Sequence, residues 1–193
     1  MKWFRMFSNE KYKGTKGYLN SQKKYELART ILYFTITIAI FITGFVTTKT
    51  RLNLLTVVAA LGSLPACKSL VEMIMFFKFH SLKEDVCQTI EVHTQDLDCL
   101  YDLVFTSYDK NYSVGHLCVR AGTLCGYTDH KDFDENGFHK HINTILMAEN
   151  MSNVTIKIFK DLDKYVNRLD QLKSLNTDKK DEKICETLKS VSL

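Results

Sequence analysis

The sequence TILYFTITIAIFITGFVTT occupies residues 30–48 and contains no charged side chain. As an α-helix, a stretch of this length rises about 28 Å, close to the roughly 30 Å thickness of the hydrocarbon core of a bilayer. A cleaved signal peptide has a shorter apolar run and a shorter basic region before it. The stretch therefore predicts a transmembrane helix over residues 30–48.

A second apolar run, LNLLTVVAALGSLPACKSLVEMIMFF, begins at residue 52. It predicts a second span over about residues 52–74, and the short connection makes residues 30–77 an antiparallel transmembrane hairpin. Lys68 and Glu72 interrupt the run, but they are four residues apart and can pair on one helix face. Lys68 lies near the end of the span, where its stem can reach the headgroups. We therefore expect a membrane ion pair between Lys68 and Glu72.

Small residues recur four positions apart on both predicted spans. Such stripes allow close approach of helix backbones in lipid, so they predict either the seam of the hairpin or a face for homo-oligomers. The stripes are Ala39 with Thr43 on the first span, and Ala59 with Ser63 and Gly62 with Ala66 on the second.

The charges of the chain are unevenly distributed. Residues 1–78 hold 12 Lys/Arg against 3 Asp/Glu, whereas residues 79–193 hold 14 against 19. Eight basic residues precede the first span, and only Lys49 and Arg51 lie in the connecting loop. The positive-inside rule then predicts a basic cytoplasmic segment over residues 1–29 and both termini in the cytoplasm. The acidic balance after the spans argues against nucleic acid as a partner, because nucleic-acid binding depends on a basic surface.

Residues 79–175 predict a soluble α+β domain with the order helix, three strands, helix, strand, helix. The expected strands, split by turn residues, are 100–107, 114–120, 124–128 and 154–158. The last helix follows Asp161 as its N-cap, with Leu162, Tyr165 and Leu169 on one face. Residues 176–193 are rich in charge and predict a tail that is frayed or at most marginally helical.

This order of elements resembles the core of restriction-endonuclease-like domains in outline. Those enzymes need an acidic residue on one strand and Glu/Asp-x-Lys on the next to hold Mg²⁺. The corresponding strands here end in Val119-Arg120 and contain Leu124-Cys125-Gly126-Tyr127. An active nuclease of this class is therefore not expected.

The richest polar segment runs from residue 129 to residue 141. Asp132, Asp134 and Asn136 with the following glycine match the opening of a calcium loop, but Asn143 stands where a bidentate Glu is required. A capped turn before a helix is the simpler interpretation. His139 and His141 are two residues apart, so on a helix they would point about 200° from each other and could not share a metal. The weak metal candidates are Asp132, Asp134, Asn136, His139 and His141.

The six cysteines show no CxxC spacing, so neither a zinc ribbon nor a thioredoxin-type motif is indicated. We expect free thiols packed as small hydrophobic side chains. Cys118 and His116 share one face of a predicted strand, a pattern more typical of a packed strand than of a nucleophile with its base.

Three stretches carry a resemblance to a known group of proteins: NLLTVVAALGSLPACKSLVEMIM from residue 53, LYDLVFTSYDK from residue 100 and VTIKIFKDLDKYVNRLDQL from residue 154. Over most of residues 25–175 the chain resembles bacterial two-span membrane proteins, some of them described as O-linked GlcNAc transferase-like. The resemblance implies a membrane protein with a small attached domain, and it brings no catalytic motif. No diphosphate-binding loop or acidic metal motif for glycosyl transfer is present in the sequence.

Taken together, the sequence predicts a membrane-anchored cytosolic domain that acts as a non-enzymatic interaction or regulatory module. The expected partners are the lipid bilayer and either another protein or a second copy of the chain, and no cofactor is indicated. The alternative is a small membrane-tethered metal-dependent hydrolase, or a degenerate restriction-endonuclease-like domain.

Overall fold

The structure is a computed structural model that describes residues 8, 10–50, 53–95, 97–151 and 153–193. Lys2, Arg5, Arg51 and Leu52, which entered the predictions of orientation and of the second span, lie outside the described residues. The chain divides into two compact units. One holds residues 19–80, and the other holds residues 10–18 and 81–193.

The first unit is a pair of helices, α1 (Tyr18–Thr48) and α2 (Leu54–Lys78). Both are long and apolar enough to cross a membrane, and most of their apolar side chains are exposed. Helix α1 begins well before residue 30 because residues 20–29 are mostly strong helix formers, although they are too polar to be part of a predicted span. Helix α2 begins at the N-cap Asn53, whose side chain accepts a hydrogen bond from the Thr56 backbone N–H at 2.8 Å.

The predicted stripes of small residues on α2, but not the one on α1, lie at the seam between the two helices. Ala59 and Ala66 are buried, and the Gly62 carbonyl accepts a hydrogen bond from the Thr37 hydroxyl at 3.3 Å. Ala39 and Thr43 lie on the outer surface instead. The small residues of α2 therefore allow the close approach of the helices, and the stripe on α1 takes no part in it.

The second unit is an α+β domain whose four strands form one mixed sheet in the order β1-β2-β3-β4. The strands β1, β2 and β3 form an antiparallel meander, and β4 lies parallel to β3 after a helical crossover. The order helix, three strands, helix, strand, helix agrees with the prediction, and one further helix follows it. In chain order the elements are α3 (Glu84–Val92), β1 (Asp98–Thr106), β2 (Asn111–Arg120), β3 (Thr123–Tyr127), α4 (Glu135–Ala148), β4 (Thr155–Phe159) and α5 (Leu162–Lys173), followed by α6 (Lys179–Val191).

Helices cover both faces of the sheet. On one face, Phe138 and Ile142 of α4 and Leu188 of α6 pack against Phe105 and Leu117. On the other face, Ile90 of α3 and Tyr165 and Leu169 of α5 pack against Cys118 and Cys125. The sheet is therefore the middle layer of three, and its free polar groups lie at its edges.

The C-terminal segment differs from the predicted charged tail. Residues 179–191 form helix α6, and Ile184 and Leu188, four residues apart, are almost fully buried against the sheet. Asp178 and Asp181 form a capping box that starts the helix. The charge-rich composition concealed this helix because two apolar residues on one face are sufficient once a sheet is present to cover them.

Candidate functional site

The predicted acidic segment is the start of helix α4. The Oδ1 atom of Asp134, the N-cap, accepts a hydrogen bond from the Gly137 backbone N–H at 3.0 Å. Its Oδ2 atom accepts one from Lys110 at 3.2 Å. The hydrogen bond from Gly137, reinforced by Lys110, lowers the pKa of Asp134. The capped turn expected from the sequence is thus present, while Asp132 is exposed in the turn before it.

The other metal candidates point to different places. His141 stacks on the Tyr112 ring, with centroids 6.1 Å apart, and lines a groove of about 610 Å³. Asn136 and His139 line another groove, beside β4. Among the residues that the structure describes, no three His, Cys, Asp or Glu side chains are placed to hold a metal ion together. The helix separates the two histidines, as their spacing predicted.

Strand β4 forms an open edge of the sheet. Thr155 donates its N–H to the Gly122 carbonyl at 3.0 Å, and the Phe159 carbonyl accepts from the Thr128 N–H at 3.0 Å. In a parallel ladder the residues that bond to the neighbouring strand alternate, so the backbone groups of Ile156 and Ile158 point away from β3. Within the described part of the chain, no group hydrogen-bonds to them.

A groove of about 320 Å³ runs beside this edge. One wall is residues 156–159 of β4, and the other is the first turns of α4, with Glu135, Asn136 and His139. An ion pair of 3.3 Å between Lys160 and Glu135 connects the two walls. The groove therefore combines free backbone donors and acceptors with polar side chains, as a binding site for an extended chain does.

The opposite edge of the sheet, strand β1, is covered. The Tyr101 N–H donates to the Gly14 carbonyl at 2.9 Å, and the Leu193 N–H donates to the Val104 carbonyl at 2.9 Å. Lys13 donates to the Ser192 carbonyl at 2.6 Å and so holds the two covering segments together. The contrast distinguishes β4, since proteins usually cover or shorten a free edge.

His116 and Cys118 lie in the core below α5, and neither lines the two grooves described above. His116 is fully buried, and its Nδ1 atom lies 2.5 Å from the Tyr165 hydroxyl. Burial lowers the pKa of His116 to about 3 and raises the pKa of Tyr165 well above its ordinary value. His116 is therefore neutral at physiological pH. The sequence pattern indicated a packed strand, but it did not identify Tyr165 as the partner of His116.

The predicted ion pair of the helical hairpin belongs to a cluster of four charged residues. Lys68 Nζ lies 3.8 Å from Glu72 Oε1, but the Lys68 side chain is 79% exposed. Arg29 of α1, with a side chain only 15% exposed, contacts the carboxylates of both Glu26 and Glu72. Arg29 is the principal cation of this cluster, and sequence spacing could not reveal it because its second partner is 43 positions away.

Asp181 is a further residue that sequence reasoning missed. It is fully buried, and its two oxygens accept backbone N–H groups from Ala121, Gly122 and Asp178 at 2.9–3.0 Å. The carboxylate thus joins helix α6 to the β2–β3 turn.

Comparison with protein-family models, with curated proteins and with solved structures finds no match to this chain.

Proposed function

We propose that this protein is a membrane-anchored interaction module that binds an extended segment of another protein along strand β4. The proposal is based on the backbone N–H and C=O groups of Ile156 and Ile158, which point away from β3 beside a groove. A bound segment would add a fifth strand to the sheet, with main-chain hydrogen bonds for affinity and the groove for side-chain selection. On this proposal α1 and α2 cross the bilayer and the α+β unit is cytoplasmic, which the basic residues before α1 support.

The edge is rigid enough to act as a template. Ile156 is 7% exposed and packs in the core, and Ile158 packs against it, so the backbone between them is held in place before any partner binds. Such preorganisation lowers the entropic cost of binding. At about 3.3 Å per residue, the strand offers some 16 Å, enough for about five residues of a partner.

Lys157 favours another protein over a second copy of this chain. Its side chain is exposed in the middle of β4, between Ile156 and Ile158. An antiparallel pair of β4 strands centred on this residue would place two lysines directly opposite each other, which is destabilising. A lysine on an edge strand is a common protection against such self-pairing.

Site-specific photocrosslinking in the full-length membrane protein tests the proposal. A photoreactive residue at Lys157 should give a discrete protein adduct, whereas the same residue at the exposed Lys183 of α6 should not. The partner identified in this way is then bound to the unmodified protein. Amide hydrogen exchange at Ile156 and Ile158 should be slower in this complex than in the free protein. Equal crosslinking at both positions, or binding that leaves these two amides unchanged, would contradict the proposal.

The proposed orientation has its own test. A reporter enzyme fused after Leu193 should be active if it is of a type that folds only in the cytoplasm. It should be inactive if it requires export. The reverse pattern would place the α+β unit outside and would remove a cytoplasmic protein as the partner.

A further inference from the structure

Three cysteines lie in register across three neighbouring strands. Cys99 of β1 is paired with Cys118 of β2, which is paired in turn with Cys125 of β3. All six cysteines of the chain are free thiols. Cys118 and Cys125 are fully buried, while Cys99 is partly exposed. The row therefore has one end that small molecules can reach.

This row could form two disulfides, Cys99–Cys118 or Cys118–Cys125. They differ in whether the two residues form a hydrogen-bonded or a non-hydrogen-bonded pair of the antiparallel ladder. The Tyr101 N–H points away from β2, toward Gly14, so Tyr101 and His116 form a non-hydrogen-bonded pair. Cys99 and Cys118 are two positions along the same ladder and belong to the same class. In such pairs the side chains lie closest, and the opposing Cβ atoms approach the roughly 3.5–4.5 Å that a disulfide requires.

Cys125 lies on the other side of Cys118 in the less suitable class. The backbone groups of Cys118 that do not face β1 face β3, so Cys118 and Cys125 form a hydrogen-bonded pair with more widely separated side chains. The electrostatics of Cys118 agree with this difference. The pKa of Cys118 is raised, and the neighbouring Cys99 thiol is the largest of the causes that raise it.

We propose that Cys99 and Cys118 form a reversible disulfide by exchange with a low-molecular-weight disulfide such as oxidised glutathione. The Cys99 thiolate attacks one sulfur of the oxidant, which gives a mixed disulfide and releases one glutathione thiolate. Cys118 then gives up its proton and attacks the Cys99 sulfur, and the second glutathione thiolate leaves. The protein loses two hydrogen atoms, and one oxidised glutathione becomes two reduced molecules.

The site would join the covered edge strand β1 to the centre of the sheet. The closed loop contains most of the β1–β2 hairpin, so the bond would restrict the unfolded chain. The hydrogen bond with Cys99 and burial raise the pKa of Cys118, which makes it a slow second nucleophile. The reaction is therefore measured at equilibrium rather than by its rate.

The test uses the full chain in detergent, equilibrated in buffers of increasing oxidised-to-reduced glutathione ratio and then alkylated. After alkylation under denaturing conditions, the oxidised chain should carry two fewer alkyl groups than the fully reduced protein, and peptide mapping should find Cys99 joined to Cys118. Cys125→Ser should still form the bond. Cys118→Ser should instead retain glutathione on Cys99. A bridge between Cys118 and Cys125, glutathione retained on Cys99 in the wild-type chain, or thiols unchanged until denaturant is added would each overturn the proposal.

Discussion

Replacing Asp181 with Asn should loosen the attachment of α6 to the sheet, although the side chain keeps its size. In the native structure, Oδ2 accepts hydrogen bonds from Ala121 and Asp178, and Oδ1 accepts one from Gly122. An amide has one oxygen and one NH₂ group, so it cannot accept at both positions. In the less costly orientation, the oxygen keeps Ala121 and Asp178 and the NH₂ group faces the Gly122 N–H.

The magnitude follows from these contacts. One backbone N–H left without an acceptor costs about 1–3 kcal/mol. The two remaining hydrogen bonds lose the charge of the acceptor and roughly half of their strength. We expect Asp181→Asn to lower the free energy of unfolding by about 2–4 kcal/mol, and Asp181→Ala to lower it further because all three donors lose their acceptor. Glu182→Gln, at the exposed neighbouring position, is the matched control and should change it by less than about 0.5 kcal/mol.

Pulsed alkylation in a urea series reports on this unit alone, because Cys118 and Cys125 are fully buried in it. The urea midpoint at which both thiols become labelled should fall for Asp181→Asn and stay in place for Glu182→Gln. Equal midpoints for Asp181→Asn and the control would refute the reasoning, since they would mean that the carboxylate contributes no more than an exposed acid.

Three further predictions concern the core, the hairpin and the dependence on pH. Leu188→Ala should destabilise the α+β unit by about 2–5 kcal/mol and Lys183→Ala hardly at all, by the same labelling assay; equal effects would mean that α6 is a loose tail. In detergent, Arg29→Gln should lower the melting temperature of the helical hairpin far more than Lys68→Gln, because Arg29 bridges two carboxylates and Lys68 contacts one; the opposite order would make Lys68 the structural cation. The neutral His116, with a folded pKa of about 3 against 6.5 unfolded, should cost about 1.4 kcal/mol of stability per pH unit as pH falls below 6.5. In His116→Gln, the urea midpoint should change less with pH between pH 7 and pH 5 than in the wild-type protein. An equal change in both would contradict the lowered pKa of His116.

Local patterns were sufficient for most elements of the fold, with the exception of α6. Uncharged runs of membrane length, alternation at Ile156 and Ile158 and the N-cap Asp161 each depend on neighbours in sequence, so they identified the two apolar helices, β4 and the start of α5. The accepted hydrogen bonds from Asp163 and Lys164 confirm that cap. The capped turn at Asp134 was likewise predictable, because a cap needs only the N–H groups a few residues ahead.

Contacts between distant residues were decided by the tertiary structure alone. Ile184 and Leu188 are core residues because the sheet offers them an apolar face. The charge-rich local sequence does not indicate that they are buried. Asp181 meets N–H groups 59 and 60 positions away, and Arg29 meets Glu72 across the helical hairpin. The open edge at β4 also follows from strand order, since the alternation of a strand indicates which face is buried but not which neighbours it will have.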